Sequence, residues 1–311
     1  MNSLRRCGQQ FAFSLILICA ADFARAETFR VATYNLESYL DQPTATRPAK
    51  SEEAKAKVRE CIRALQPDVI ALQEVGQLSA LQELQASLKS EGLDLPYLEH
   101  VSGFDTNIHL GILSKFPFTA RRPHTNENFL LGGRRFRVSR GFGEVDIQVN
   151  THYSFTLITA HLKSKRTSVE ADEAELRLEE AKRLREKIDE RLELNPNANL
   201  VVLGDFNDTK DAASTRTVIG RGRRKLVDTR PAESNNQAAA SSASASTDAR
   251  AVTWTHYYGR DDTFSRIDFI LLSPGMAREW VSNETFVLAT NGWGLASDHR
   301  PLVATFQAVD R

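Results

Sequence analysis

Short apolar runs rich in β-branched residues, with turn residues between them, constrain this chain more than any other feature. They lie at Phe29–Tyr34, Val69–Leu72, Leu110–Leu113, Val145–Val149, Phe155–Ala160, Leu200–Leu203, Ile267–Leu272 and Leu302–Phe306, and each has the length and composition of a strand. Helical periodicity appears over Ser51–Gln66, Leu78–Ser90 and Val169–Leu194. In the first of these Ala54, Val58, Ile62 and Leu65 share one face, and Pro67 ends the pattern. Strands outnumber helices, and several successive strands are joined by segments too short for a helical crossover. The spacing therefore predicts an antiparallel or mixed layered α/β architecture rather than a doubly wound parallel sheet. A stretch rich in Ala, Ser and Asn, Ala232–Ala249, reads as a flexible loop inserted into a single domain over residues 27–311.

The first residues have a different character. Arg5 and Arg6 precede an apolar run from Phe11 to Ala21, followed by Ala24-Arg25-Ala26, which is the order of a secretory signal with cleavage after Ala26. That run is too short to span a bilayer, and no later segment approaches the roughly 20 apolar residues that spanning requires. The expectation is an exported product, periplasmic or secreted, with no stable membrane insertion. Loss of the signal also removes Cys7 and Cys19, so Cys61 has no partner for an internal disulfide.

Charge limits what the mature protein binds. The chain holds 40 basic and 40 acidic side chains; without Arg5, Arg6 and Arg25 on one side and Asp22 on the other, 37 and 39 remain. Such a balance gives no bulk attraction to nucleic acid. The basic clusters, among them Arg134, Arg135, Arg137 and Arg140, read as solvated surface that permits an anionic substrate without demanding one.

Polar residues collect where apolar runs end. Asn35 follows the first run, Gln73-Glu74 the second, His161 the fifth, and Gly204-Asp205-Phe206-Asn207 the sixth, while Ser297-Asp298-His299 precedes the last. Oxygen-bearing side chains of this kind suit a hard divalent cation, and imidazoles suit proton transfer or phosphate contact. Alternation in an extended segment places Asp205 and Asn207 on one side with Phe206 in the core, and separates Asp298 from His299. Trp254-Thr255-His256-Tyr257-Tyr258 reads either as buried aromatic packing or as a cleft wall.

Taken in order with Ser265-Arg266-Ile267-Asp268, these motifs resemble those of the endonuclease/exonuclease/phosphatase superfamily, over about Phe29 to Phe306. The resemblance implies a deoxyribonuclease I-like fold, a four-layer α/β/β/α sandwich with two mixed, mostly antiparallel sheets and the site at one end. It implies Mg²⁺ or Mn²⁺ as cofactor, with Glu74 the principal ligand and Asn35 and Asp298 completing or supporting the site. Asp205 and Asn207 would position water or hold phosphate oxygens. His299, oriented by Asp268, would be the general base or a donor to the transition state, with Asp205 the other candidate base; the imidazole's ordinary pKa favours His299. His161 would grip the phosphate from the opposite side, with Lys163 and Arg166 as candidate substrate contacts.

The function expected is an exported phosphoesterase, a nuclease or related phosphodiesterase first, acting as a monomer on a phosphoester substrate, nucleic acid included. A phosphomonoesterase or phospholipase C-like enzyme acting on inositol phosphates or lipid head groups is the alternative within hydrolases. A catalytically inactive binding protein on the same scaffold is the alternative outside them.

Overall fold

Alternation along the apolar runs decides how they stack. In the computed structural model of the chain, which describes residues 27–234 and 252–309, Val31, Val69 and Ala71 join one apolar core while Ala32, Ile70 and Leu72 join another. Both faces of this sheet are buried, so it must be covered twice.

The chain runs through β1 (Thr28–Tyr39), α1 (Glu52–Leu65), β2 (Val69–Val75), α2 (Leu78–Ser90), β3 (Tyr97–Val101), β4 (His109–Ser114) and β5 (Phe118–His124). It continues with β6 (Asn128–Leu131), β7 (Arg134–Arg137), β8 (Phe142–Gln148), β9 (Ser154–His161), α3 (Glu173–Leu194), β10 (Leu200–Asp205) and α4 (Ala213–Ile219). The last part holds β11 (Val227–Asp228), β12 (Ala232–Glu233), β13 (His256–Tyr258), β14 (Thr263–Ser265), β15 (Asp268–Leu272), β16 (Trp280–Val287) and β17 (Leu302–Gln307). One sheet has the order β12-β16-β17-β1-β2-β4-β3 and the other β11-β15-β10-β9-β8-β5. Most pairs are antiparallel; β1 with β2, β9 with β10 and the short β12 with β16 are parallel, and α1 and α3 are the crossovers within the first two.

The inner faces of the sheets share a core of Phe29, Val31, Val145, Leu157, Leu203 and Phe306. Val58, Ile62, Leu65, Leu81 and Leu84 of α1 and α2 cover the outside of the first sheet, and Leu184, Ile188 and Leu192 of α3 cover the second. The expected four layers are present. Ser51 caps α1 by accepting from the N–H of Ala54, and Gln66 closes it in a left-handed turn.

The export signal expected over residues 1–26 lies outside the described residues, as does most of the expected insertion. Its first residues do not belong to a loop. Ala232 and Glu233 form β12 beside β16, because Glu233 meets Arg300, 2% exposed, at 2.6 Å and supplies a buried cation with its partner. Cys61 is buried and unpaired. Among the described residues no helix is long and apolar enough to cross a membrane.

Candidate active site

The parallel pairs β1/β2 and β9/β10 end on the same side of the sandwich, and the sheets are joined there by buried polar contacts. Thr33 donates to Gln73 at 3.1 Å, and Gln73 donates across the sheets to Thr159 at 3.3 Å. One turn further out, the Asn35 amide donates to Asp205 Oδ2 at 2.9 Å. Above these contacts opens a cleft of about 1010 Å³.

Backbone irregularity aims the acids into that cleft. β1 does not stop at Asn35 but runs on through a register shift between Asn35 and Tyr39, and β2 shifts between Leu72 and Val75. Within these bulges Glu37 (φ 46°), Ser38 (φ 59°) and Glu74 (φ 59°) adopt left-handed backbone, which side-chain-bearing residues take only at a cost. Asn207 does the same (φ 54°). Asp205 and Asn207 therefore face one site through an Asx turn, not through extended alternation: Asp205 Oδ1 accepts the Asn207 N–H at 2.8 Å. Phe206 is buried, stacked on Phe269, as expected.

Three groups form the buried centre. His299 Nδ1 lies 2.9 Å from Asp268 Oδ2, and its Nε2 lies 3.7 Å from Asp205 Oδ2 and 3.8 Å from Asp298 Oδ1. The Asp268 carboxylate is held in turn by the Thr255 hydroxyl at 2.7 Å. Burial alone would lower the pKa of His299, but Asp268, Asp205 and Asp298 override it and raise the ring to about 10. It is an imidazolium at neutral pH. Burial pushes the Asp205 carboxyl up to about 7, against the His299 charge and the donors Asn207 and Asn35. His161 stands on the other side, its Nε2 3.5 Å from Asp205 Oδ2 and 3.9 Å from Glu74 Oε1. Burial, then the charges of Arg140, His299 and Arg47, hold its pKa well below the ordinary value, so this imidazole is neutral.

Asp298 does not separate from His299 as extended alternation predicts. The chain bends at Asp298, and both side chains line the cleft, with His256 Nε2 3.7 Å from Asp298 Oδ2. Glu37, Glu74 and Asp298 form an acidic wall. Glu37 is raised above the ordinary carboxylate range by burial and by repulsion from Asp298 and Glu74. Cationic side chains stand against this wall: Arg47 contacts Glu74 at 3.0 Å, and Lys50 donates to the Glu37 carbonyl at 3.0 Å. Surplus carboxylate oxygens facing an open cleft fit a hard divalent cation. Of the two groupings of acids and imidazoles whose ligand atoms lie close enough to share an ion, His256, Asp298 and His299 line the cleft, whereas Asp205, Asp268 and His299 are buried, with the imidazolium already set between the two carboxylates.

Among the expected metal residues, Glu74 and Asp298 sit on that wall, whereas Asn35 faces inward. Its amide nitrogen serves Asp205 and its Oδ1 accepts the Glu37 N–H at 3.0 Å, so it orients the centre. Arg166 lines the cleft. Lys163, expected beside the substrate, instead turns its ammonium onto the carbonyls of Ser164 and Arg166 at 3.2 and 3.1 Å, holding the turn that carries Lys165 and Arg166. His256 and Tyr258 line the cleft, while Trp254 packs on Phe264, Trp293 and the Arg300 guanidinium. The sequence does not single out Glu37, Arg47 or Lys50, of which only Glu37, two residues past Asn35 on the same strand, has a readable signal, and Arg140, expected on a solvated surface, is instead buried at the cleft.

Comparison with known proteins gives the family and the fold. A family model described as the Endonuclease/Exonuclease/phosphatase family matches residues 32–299. No curated protein matches the sequence. Among solved structures, truncated Caenorhabditis elegans TDP2 is similar at 18% identity and TM-score 0.56, with 90% of this chain and 98% of that chain covered. The human Nocturnin catalytic domain, with bound sulfate, is similar at 17% identity and TM-score 0.60 over 91% and 95% of the two chains. Sphingomyelinase C from Streptomyces griseocarneus is similar at 16% identity and TM-score 0.58 over 90% and 100%. At these identities the solved structures speak for the fold alone.

Proposed function

The chain belongs to the endonuclease/exonuclease/phosphatase family, and from that premise we propose that it is an exported, Mg²⁺- or Mn²⁺-dependent phosphodiesterase, a nuclease first, that cleaves a P–O bond by attack of water. One observation carries this reading: two buried histidines flank the buried carboxylate of Asp205, with His161 Nε2 3.5 Å and His299 Nε2 3.7 Å from its Oδ2, and each ring also faces a carboxylate of the cleft wall, Glu74 and Asp298 in turn.

These groups divide the work of hydrolysis. Asp205, with a pKa of about 7, accepts a proton from the attacking water as the new P–O bond forms; the bond to the leaving oxygen breaks, and that oxygen departs as an alcohol by taking a proton from solvent. The sequence alone favours His299 for that task, but an imidazolium has no lone pair to accept with. Its Nε2–H instead donates to a phosphate oxygen as charge builds there, and Asp268 keeps that proton in place. Neutral His161 donates to a second phosphate oxygen from the opposite wall. Asn35 and Asn207 hold the Asp205 carboxylate through 2.9 and 2.8 Å hydrogen bonds, so the base is oriented before the water arrives. Glu74, with Glu37 and Asp298, would hold the divalent cation, which when bound supplies positive charge against the phosphate.

A phosphodiester is preferred because the cleft, of about 1010 Å³, has room beyond one phosphate and is lined by the cations of Arg47, Arg140, Lys165, Arg166 and Arg260. Tyr258 and Phe264, exposed on the β13–β14 hairpin beside the cleft, favour a second reading, a phospholipase C-like enzyme on lipid head groups. Assaying plasmid DNA, RNA, bis-p-nitrophenyl phosphate and sphingomyelin side by side, with Mg²⁺, Mn²⁺ and EDTA, separates them. Hydrolysis of sphingomyelin but of neither nucleic acid would replace the nuclease reading. Failure on every substrate with either metal would favour a binding protein. Export rests on the Arg5-Arg6, Phe11–Ala21 and Ala24-Arg25-Ala26 pattern, and a mature N-terminus at Glu27 is its test.

A further inference from the structure

Arg140 is a cation without an adequate partner. The residue is 7% exposed and lines the cleft, yet its Nε and Nη1 are buried with no hydrogen-bond partner. The nearest carboxylate oxygen, Asp105 Oδ2, stands 3.5 Å from Nε, an ion pair too long to serve as a hydrogen bond, and the other oxygen, Oδ1, accepts the N–H groups of Asn107 and Ile108. Glu180 lies close enough to act on Arg140 electrostatically, but its two oxygens accept the backbone N–H groups of Ser139 and Lys163 at 3.0 and 2.6 Å. A guanidinium taken out of water this far ordinarily has its N–H groups matched by an anion.

Its backbone is held from several sides. A Cβ on Gly103 would lie 2.3 Å from the Arg140 carbonyl carbon, so only glycine lets the two segments approach this closely. Gly141 follows with φ +67° and packs against the His124 carbonyl. The Ser139 carbonyl accepts the Asp105 N–H at 2.7 Å. The fork is thus fixed beside His161, on whose ring its charge acts. Lining the same cleft is the turn Ser164–Thr167, braced by the Lys163 ammonium, and Arg166 on it has no carboxylate partner among the described residues.

We propose that Arg140, with the turn Ser164–Thr167, receives a second phosphate of the substrate, adjacent to the phosphate that is cleaved between His161 and His299. The inference deepens the phosphodiesterase reading and rests on it for the identity of the ligand. The class of ligand is a molecule with two phosphates spaced by one sugar, as in an oligonucleotide or a nucleoside 3′,5′-bisphosphate.

Binding without turnover tests this directly. In EDTA, calorimetry with thymidine 3′,5′-bisphosphate and thymidine 5′-monophosphate should give the bisphosphate a Kd about tenfold lower for the wild-type protein, the effect of one charge-assisted contact. Arg140→Met should abolish that preference while the monophosphate Kd stays within about threefold. The ligand-free Tm of this variant should be equal to or above that of the wild type, because an apolar chain replaces an unpaired buried cation. Should the Met variant fail to fold, Arg140→Lys, which keeps the charge and loses the fork, should still weaken the bisphosphate more than the monophosphate. Equal losses on both ligands would assign Arg140 to the cleaved phosphate and overturn the proposal. So would a wild-type protein without preference, or a fall in Tm with binding unchanged. If no phosphoester is hydrolysed under any condition but the Arg140-dependent preference is present, the enzyme reading fails and the subsite stands.

Discussion

Asp268 Oδ2 sits 2.9 Å from His299 Nδ1, and the two residues are 2% and 5% exposed, so the pair is closed to water and the carboxylate fixes the charge of the ring. Stability should depend on pH through this contact. The folded pKa of His299, raised to about 10, lies above its ordinary 6.5. The stabilisation is therefore fully present below pH 6.5 and is lost as pH rises from there through 10. In the ion-free protein, urea midpoints should fall over that window. Asp268→Asn, which leaves the imidazolium without its partner, should cost about 3 kcal/mol at pH 6 and much less at pH 10. Parallel pH curves for wild type and variant would show that the pair carries no charge coupling.

Catalysis should show a bell. Asp205 must be ionised to accept a proton, so kcat/KM rises through a pKa at or below about 7, a bound cation moving this limb downward. His299 must be protonated to donate, so the rate declines as pH approaches about 10. His299→Ala should lower kcat at least about a hundredfold with folding intact and remove the alkaline limb. If the variant instead lost the acidic limb, His299 would be the base and Asp205 its support.

Legibility in the sequence followed what each residue depends on. Apolar runs exposed the sheets, because four consecutive apolar residues such as Val69, Ile70, Ala71 and Leu72 fit a strand covered on both faces, one pair in each core. The residues of the centre were readable because they sit at fixed offsets from apolar runs. Asn35, Glu74 and Asn207 lie where their apolar runs stop, but left-handed turns and bulges in and beside them aim the side chains, and apolar patterning does not encode these. Arg47 and Arg140 were unreadable. Each lies in an irregular segment, and only tertiary packing distinguishes the buried Arg140 from the exposed Arg134 and Arg135 of the same basic cluster. The same holds for β12, two residues whose place in the sheet depends on Arg300, distant in sequence.

Removing the acidic wall should separate cation binding from folding. Glu74→Gln keeps shape and hydrogen-bonding capacity toward Ser38 but removes the charge that Arg47 now neutralises at 3.0 Å. Calorimetric titration with Mn²⁺ should show affinity weakened about tenfold or more, the scale of losing one carboxylate ligand or its orienting partner. EDTA should abolish hydrolysis by the wild type, and added Mg²⁺ or Mn²⁺ should restore it. Undiminished Mn²⁺ affinity in Glu74→Gln would move the cation site elsewhere in the cleft.

Gly204 decides whether Asp205 reaches the centre at all. It has φ +132°, and a Cβ built there would stand 2.0 Å from the Ala160 carbonyl oxygen, an atom fixed in the neighbouring parallel strand β9. No side-chain rotation relieves that contact, so β10 must move away from β9 or the backbone must leave its conformation. Gly204→Ala should therefore cost about 3 kcal/mol or more from strain and overpacking together. Because His161 and Asp205 occupy paired positions on these strands, with Nε2 and Oδ2 3.5 Å apart, the same displacement should separate base from imidazole. A misplacement of about 1 Å is enough to lower kcat roughly a hundredfold. Urea denaturation and steady-state rates on bis-p-nitrophenyl phosphate measure the two effects. A midpoint shift worth less than about 0.5 kcal/mol, the range of an ordinary surface change, would mean that the strands accommodate a methyl group where the backbones now touch.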